Sequence, residues 1–182
     1  MSGIVSLFQY DTAPILAMLP ELEHAWQEET WRATIPFSPH KDSESIFIRR
    51  QPGSRPRDVL HQLASMATQY HQGPLSLAVE AICSHVQGRP ARAMLARLRP
   101  GGVIEPHTDE GIYAEATTRF HLPLITSPGA WLEVDGTRYH LSAGTVYAFD
   151  KHVPHCGGND GDEPRIHMII DAHPDSPGLF AG

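Results

Sequence analysis

The stretch Trp131-Leu132-Glu133-Val134-Asp135-Gly136-Thr137-Arg138-Tyr139-His140-Leu141 decides the fold class. Two strand-like runs flank an Asp-Gly pair. A two-residue hairpin turn needs positive φ at both central positions, which Asp-Gly tolerates, so the stretch predicts a β-hairpin. Working outward, short runs of the same character occupy residues 93–99, 119–125, 145–149 and 165–171, separated by turn signals such as Pro100-Gly101-Gly102. Strands at that spacing predict an all-β sandwich or barrel after Pro90. Residues 156–164, rich in Gly, Asn and Asp, read as a polar loop, and the tail after Pro174 as another.

Residues 1–90 read as mainly helical. A short helix is expected over 13–19, with Thr12 as N-cap and Pro14 in the first turn. A polar helix is expected over 21–31, then a loop over 36–41, and a strand over 45–50 that closes at Gln51-Pro52-Gly53. Val59, Leu60, Leu63, Met66, Ala67 and Tyr70 share a helical stripe, which predicts a helix over 58–70. A second apolar helix is expected over 75–86, stopping at Gly88.

The chain has 182 residues, 41% of them hydrophobic and 19% charged, which suits one folded domain with a substantial core. Its net charge of −7 argues against generic binding to nucleic acid or to anionic membranes. No apolar run reaches the roughly 18 residues of a transmembrane helix. The first 19 residues lack a basic n-region and carry Asp11, unlike a secretory signal. Two cysteines, Cys83 and Cys156, make no disulfide framework. A cytoplasmic, reducing location is the expectation.

The chemistry gathers at Pro106-His107-Thr108-Asp109. In an extended segment alternate side chains share a side, so His107 and Asp109 can grip one ion while Thr108 points away. Two imidazoles and one carboxylate on one face of a metal leave positions open for a bidentate ligand and dioxygen, as at non-haem iron(II). His152 and His155 compete for the third ligand position. Arg165 is the candidate partner for an anionic co-substrate, because a guanidinium binds carboxylate as a planar fork. Arg119-Phe120-His121-Leu122 and Arg165-Ile166-His167-Met168 share one pattern, with both basic groups on one face. That face either meets water or lines a barrel interior that holds a dianion, and burial of Arg119 and Arg165 decides between the two. Loop residues 109–118 are expected near the pocket mouth, with Trp26, Trp31, His40 and Arg50 as further candidates whose ordinary readings are core aromatic or surface charge.

These residues resemble a known family. Arg97-Leu98-Arg99-Pro100-Gly101-Gly102, Pro106-His107-Thr108, Arg119-Phe120-His121-Leu122-Pro123-Leu124, Gly144-Thr145-Val146-Tyr147-Ala148-Phe149-Asp150, His155 and the run from Arg165 to Asp171 resemble, in order and spacing, the aspartyl/asparaginyl β-hydroxylases. The resemblance covers roughly residues 91–174. It implies a mainly β chain with a double-stranded β-helix core (jelly-roll, cupin-like) over 91–174, on which a helical portion, 1–90, packs as part of one oxygenase domain. It implies Fe(II), 2-oxoglutarate and O2 as cofactors, with succinate and CO2 as co-products. The expected metal ligands are then His107, Asp109 and His155 rather than His152. Arg165 is expected to bind 2-oxoglutarate, with Arg119 and His121 as further cofactor contacts. Animal aspartyl hydroxylases have a glycine where Asp109 stands, whereas the free-amino-acid hydroxylases, such as proline hydroxylases, share the complete triad. A serine that helps hold the co-substrate in some members is Ala96 here. The expected substrate is an amino-acid side chain of Asp, Asn or Pro type, free or within a peptide. The alternatives are a cupin-type metal enzyme that does not use 2-oxoglutarate and a non-catalytic ligand-binding barrel.

Overall fold

The computed structural model describes residues 3–50 and 65–175. Eleven strands and a few short helices occur among them. In chain order they are β1 (Ile4–Gln9), α1 (Ala13–Met18), a 3-10 helix (Leu19–Gln27), α2 (Trp31–Thr34), β2 (Ser43–Arg50), β3 (Met66–Ala67) and α3 (Gly73–His85). Then follow β4 (Gly88–Leu98), β5 (Val103–His107), α4 (Ile112–Glu115), β6 (Thr118–Ile125), β7 (Ala130–Val134) and β8 (Thr137–Tyr139). The last three strands are β9 (Thr145–Phe149), β10 (His155–Asn159) and β11 (Arg165–Pro174). A seven-stranded sheet has the order β1-β9-β6-β11-β4-β2-β3, and a four-stranded sheet the order β5-β10-β7-β8. All pairings are antiparallel, in a cupin-like jelly roll.

Strand alternation divides the large sheet into two faces. On β11, Ile166, Met168, Ile170 and Ala172 join the main core with Phe120, Leu122 and Leu124 of β6 and Ala93 and Leu95 of β4. α3 covers this face with Leu75, Ala78, Val79, Ile82 and Cys83, a helical stripe at spacings of three and four. The opposite face of β11 carries Arg165, His167, Ile169 and Asp171, all buried. It looks toward the small sheet, and the functional cleft lies between the two.

The hairpin forms as expected, with Asp135 at φ 49° and Gly136 at φ 72°. The strand over 45–50 also forms, extended to Ser43–Arg50, and so does the helix over 75–86, shifted to Gly73–His85. Four expectations need correction. The N-terminal half is not simply helical cover: β1 pairs with β9, and β2 pairs with β4, so both belong to the large sheet. The polar helix over 21–31 is a 3-10 helix followed by the short α2. The helix expected over 58–70 falls partly outside the described residues, and its end is the short strand β3, which pairs with β2 at Arg49 and Arg50. Residues 156–159, read as loop, belong to β10. Glycine normally weakens a strand, but here it is needed for close approach. A Cβ on Gly158 would collide with the Trp131 ring, and one on Gly157 would lie 3.0 Å from an Arg165 nitrogen.

Candidate metal centre

His107 ends β5 and His155 begins β10, and the antiparallel register sets them directly opposite each other. Their rings lie 4.3 Å apart between centroids. Asp109 sits just past β5, where its backbone N–H donates to the Lys151 carbonyl at 2.9 Å and draws the chain against the end of β9. The nearest ligand-type atoms of His107, Asp109 and His155 all fall within 4.8 Å of one another. His152 is exposed and stands apart from this cluster.

Two details fit this trio to a metal ion. Nδ1 of His107 lies 2.8 Å from the Glu105 carbonyl oxygen, and Nδ1 of His155 lies 3.0 Å from that of Val153. A carbonyl accepts only from N–H, so both rings carry their proton on Nδ1 and present the Nε2 lone pair inward, the usual support for a metal-binding histidine. Nε2 of His107 is buried and has no hydrogen-bond partner. Burial, and then His107 nearby, push His155 down to about 4 despite the Val153 contact, so it is neutral near pH 7. Burial would raise the Asp109 carboxyl, but the charge of Arg119 beside it holds it below the usual carboxylate range. A neutral His155 and an ionised Asp109 are in the protonation states that a divalent metal requires of its ligands.

The Arg-x-His face is buried, which settles the question left by the sequence pattern in favour of a lined interior. Arg119 and Arg165 are 6% and 4% exposed. Arg165 donates from Nη1 to the Trp131 carbonyl at 3.3 Å and from Nε to His167 at 3.2 Å, with no carboxylate partner among the described residues. Burial pushes it down to about 10, so it keeps its charge near neutrality. Arg119 donates to Asp171 at 2.8 and 3.2 Å, and its Nη1 lies 2.5 Å from Asp109. Burial works against that charge, but the two carboxylates raise its pKa. His121 is buried edge-on to Phe149 and lies 3.4 Å from Nδ1 of His167.

Sequence reading missed the group that holds Arg119. Asp171 is 1% exposed and also accepts from Arg92 Nη2 and the Tyr113 hydroxyl, both at 3.1 Å. The signal was present, since Arg165, His167 and Asp171 continue one alternation on β11 and Asp171 faces Arg119 in register. Buried Lys151, which donates to the Thr117 hydroxyl at 2.7 Å, was also missed, and no local pattern marks it. Of the proposed mouth residues, His40 reaches the cleft, edge-on to His107 at 5.0 Å. Trp26 instead packs against Arg97 at 4.4 Å, Trp31 stacks on Phe47, and Arg50 pairs with Glu29 at 2.7 Å. Cys156 also lines the cleft.

Comparison with known proteins agrees with this architecture. L-proline cis-4-hydroxylase of Rhizobium meliloti (strain 1021) is 27% identical over 135 residues, covering 70% of this chain. The chain spans 46% of that relative's length. A 2OG-Fe(II) oxygenase family oxidoreductase from Burkholderia pseudomallei superposes with a TM-score of 0.61 at 17% identity, over 94% of this chain and 84% of that one. A Pseudomonas putida prolyl-4-hydroxylase gives a TM-score of 0.55 at 15% identity, over 96% of this chain and 94% of that one. These two share the fold. The family model described as Aspartyl/Asparaginyl beta-hydroxylase matches residues 67–174, more than half of the chain and the whole of the strand framework that carries His107, Asp109, His155 and Arg165. On that match, the chain belongs to the aspartyl/asparaginyl β-hydroxylase family.

Proposed function

We propose that the protein is an Fe(II)- and 2-oxoglutarate-dependent dioxygenase that hydroxylates an amino-acid side chain and releases succinate and CO2. One observation carries this reading: the His107–Asp109–His155 cluster shares a cleft with Arg165, a buried guanidinium that no carboxylate neutralises among the described residues. His107, Asp109 and His155 would hold the iron. When bound, iron(II) with 2-oxoglutarate and O2 supplies the oxidising power to put one oxygen atom into a substrate C–H bond and the other into succinate.

The chain's own work is placement. Arg165 offers a planar fork to the distal carboxylate of 2-oxoglutarate, in a buried setting where a charge-assisted hydrogen bond is strong. Gly157 leaves that guanidinium room. Arg119 lies against one carboxylate oxygen of Asp109 and leaves the other, Oδ1, 3.8 Å from His107 Nε2, to face the metal position. Asp171 fixes Arg119 in turn. Leu132, Phe149 and Ile169 line the cleft with apolar surface and keep water from the reacting atoms.

The test is spectroscopic. Anaerobic addition of Fe(II) and 2-oxoglutarate should give a visible charge-transfer band, lost in Arg165→Ala and in His155→Ala. Metal binding with no dependence on Arg165 would favour a cupin-type metal enzyme that does not use 2-oxoglutarate. Folded protein that binds no metal would leave a non-catalytic ligand-binding barrel.

A further inference from the structure

Two buried imidazoles take no part in the metal cluster and sit beside Arg165. His121 and His167 lie on the inner faces of neighbouring strands, β6 and β11. In the register, His121 faces Ile169 and His167 faces Pro123, so the two histidines are diagonal neighbours on one face. Pro123 has no N–H to give the ladder, and the pairing is irregular there, between Ile166 and His167. Nδ1 of His167 lies 3.4 Å from Nδ1 of His121. Nε2 of His167 lies 3.2 Å from Arg165 Nε, and its Nδ1 lies 3.3 Å from Arg165 Nη2. Phe149 meets both His121 and His155 edge-on at 5.1 Å, so His121 is the end of this chain of contacts toward the metal position.

These contacts admit one good arrangement of protons. Burial, and then the charge of Arg165, hold both rings well below the ordinary imidazole value, so each is neutral, with one N–H and one bare nitrogen. A guanidinium only donates. Arg165 Nε has a single N–H, and its acceptor among the described residues is Nε2 of His167. That nitrogen is therefore bare, since a buried donor left unpaired is costly. The His167 proton is then on Nδ1, where it faces Nδ1 of His121, and that nitrogen must accept it. The His121 proton is left on Nε2, which has no protein partner among the described residues, on a ring that lines the cleft. The contact of Arg165 Nη2 with the protonated Nδ1 is not a hydrogen bond. One Nη1 hydrogen goes to the Trp131 carbonyl, so the end of the guanidinium, with Nη1 and Nη2 side by side, remains for a carboxylate.

We propose that His167 is a positioning residue that sets the proton of His121: fixed by Arg165 at one nitrogen, it donates from the other and so presents the His121 Nε2–H to 2-oxoglutarate. Arg165 and His121 are thereby tied into one clamp. The cation takes the distal carboxylate, and the neutral N–H takes an oxygen at the keto-acid end. This rests on the oxygenase reading, in which 2-oxoglutarate occupies the cleft.

The experiment has two readouts. The first is the histidine tautomers, from long-range 1H–15N spectra of ring-15N-labelled protein loaded with diamagnetic Zn(II), with both signals assigned through His121→Gln and His167→Gln. The wild type, without co-substrate, should show His121 protonated on Nε2 and His167 protonated on Nδ1. His121 protonated on Nδ1 overturns the proposal, whether or not 2-oxoglutarate binds. The second readout is calorimetry on protein loaded with Mn(II) in place of Fe(II). His167→Leu should bind 2-oxoglutarate roughly tenfold more weakly, the scale of a lost hydrogen bond in a charged cluster, with Mn(II) affinity unchanged. Its His121 proton should no longer be confined to Nε2. His167→Gln, whose amide keeps one acceptor and one donor, should recover most of the affinity. Undiminished 2-oxoglutarate binding in His167→Leu, or a weakening that His167→Gln shares in full, overturns the proposal. So does a parallel loss of Mn(II) binding in His167→Leu, which would assign His167 a structural role. No 2-oxoglutarate binding by the wild type, with these tautomers in place, would overturn the oxygenase reading and leave the proton relay standing.

Discussion

Replacing Asp171 with asparagine tests the electrostatic foundation of the site. The side chain keeps its shape and loses its charge. Asp171 is 1% exposed and receives Arg119, Arg92 and the Tyr113 hydroxyl, so the variant leaves two arginines without their shared counter-ion. Breaking a buried ion pair from one side costs roughly 3–5 kcal/mol. For a chain of this size each kcal/mol moves the melting temperature by about 2–4 °C, so the expected fall is roughly 6–20 °C at pH 7. The pH dependence follows from the direction of the shift. Burial would raise the Asp171 carboxyl, but Arg119 and Arg92 hold it far below its ordinary value of 3.8. A depressed carboxylate contributes stability that is present above the unfolded-state value and is lost as pH falls toward the folded-state value. The gap between wild type and variant should therefore be constant above about pH 5 and narrow only below about pH 4. The assay is thermal unfolding followed by circular dichroism from pH 3 to pH 8. An Asp171→Asn protein that melts within 2 °C of the wild type at pH 7, or a gap that widens in acid, would refute the reasoning.

Other perturbations separate the parts of the site. Asp109→Gly removes a charged ligand and should weaken Mn(II) binding at least about tenfold by calorimetry; undiminished metal binding and activity would mean that the two histidines suffice. Gly157→Ala places a methyl group 3.0 Å from Arg165, and should weaken 2-oxoglutarate binding while leaving Mn(II) affinity within about twofold, both read by titration. Leu122→Ala opens the core beneath β6, where Leu122 is fully buried, and should cost roughly 2–5 kcal/mol in urea unfolding without changing metal affinity.

What the sequence reveals divides along physical lines. Features set by neighbours in the chain are legible. Asp135-Gly136 announces its turn because both φ values are local, and the stripe on α3 is a periodicity within thirteen residues. The His107, Asp109 and His155 cluster is legible through spacing and resemblance, although the register that faces the two histidines across β5 and β10 is not. β1 is missed because its partner, β9, lies far along the chain and supplies the pairing. β10 is missed because Gly157 and Gly158 read as loop, while the reason for them is the bulk of Trp131 and Arg165 on other strands. Arg32 and Lys151, both buried, are passed over for the same reason. A charged side chain is placed inside a protein by partners distant in sequence, and no window around it contains them.

The central claim is that this cleft couples the oxidation of 2-oxoglutarate to amino-acid hydroxylation, and succinate release under 18O2 tests it most directly. Protein loaded with Fe(II), supplied with 2-oxoglutarate and the amino acid that binds best, should form succinate and hydroxylated product in equal amounts. One 18O atom should appear in each, and both products should vanish in His155→Ala. Folded, iron-loaded wild type that consumes no 2-oxoglutarate with any free amino acid or peptide, or that forms product carrying no 18O, would contradict it.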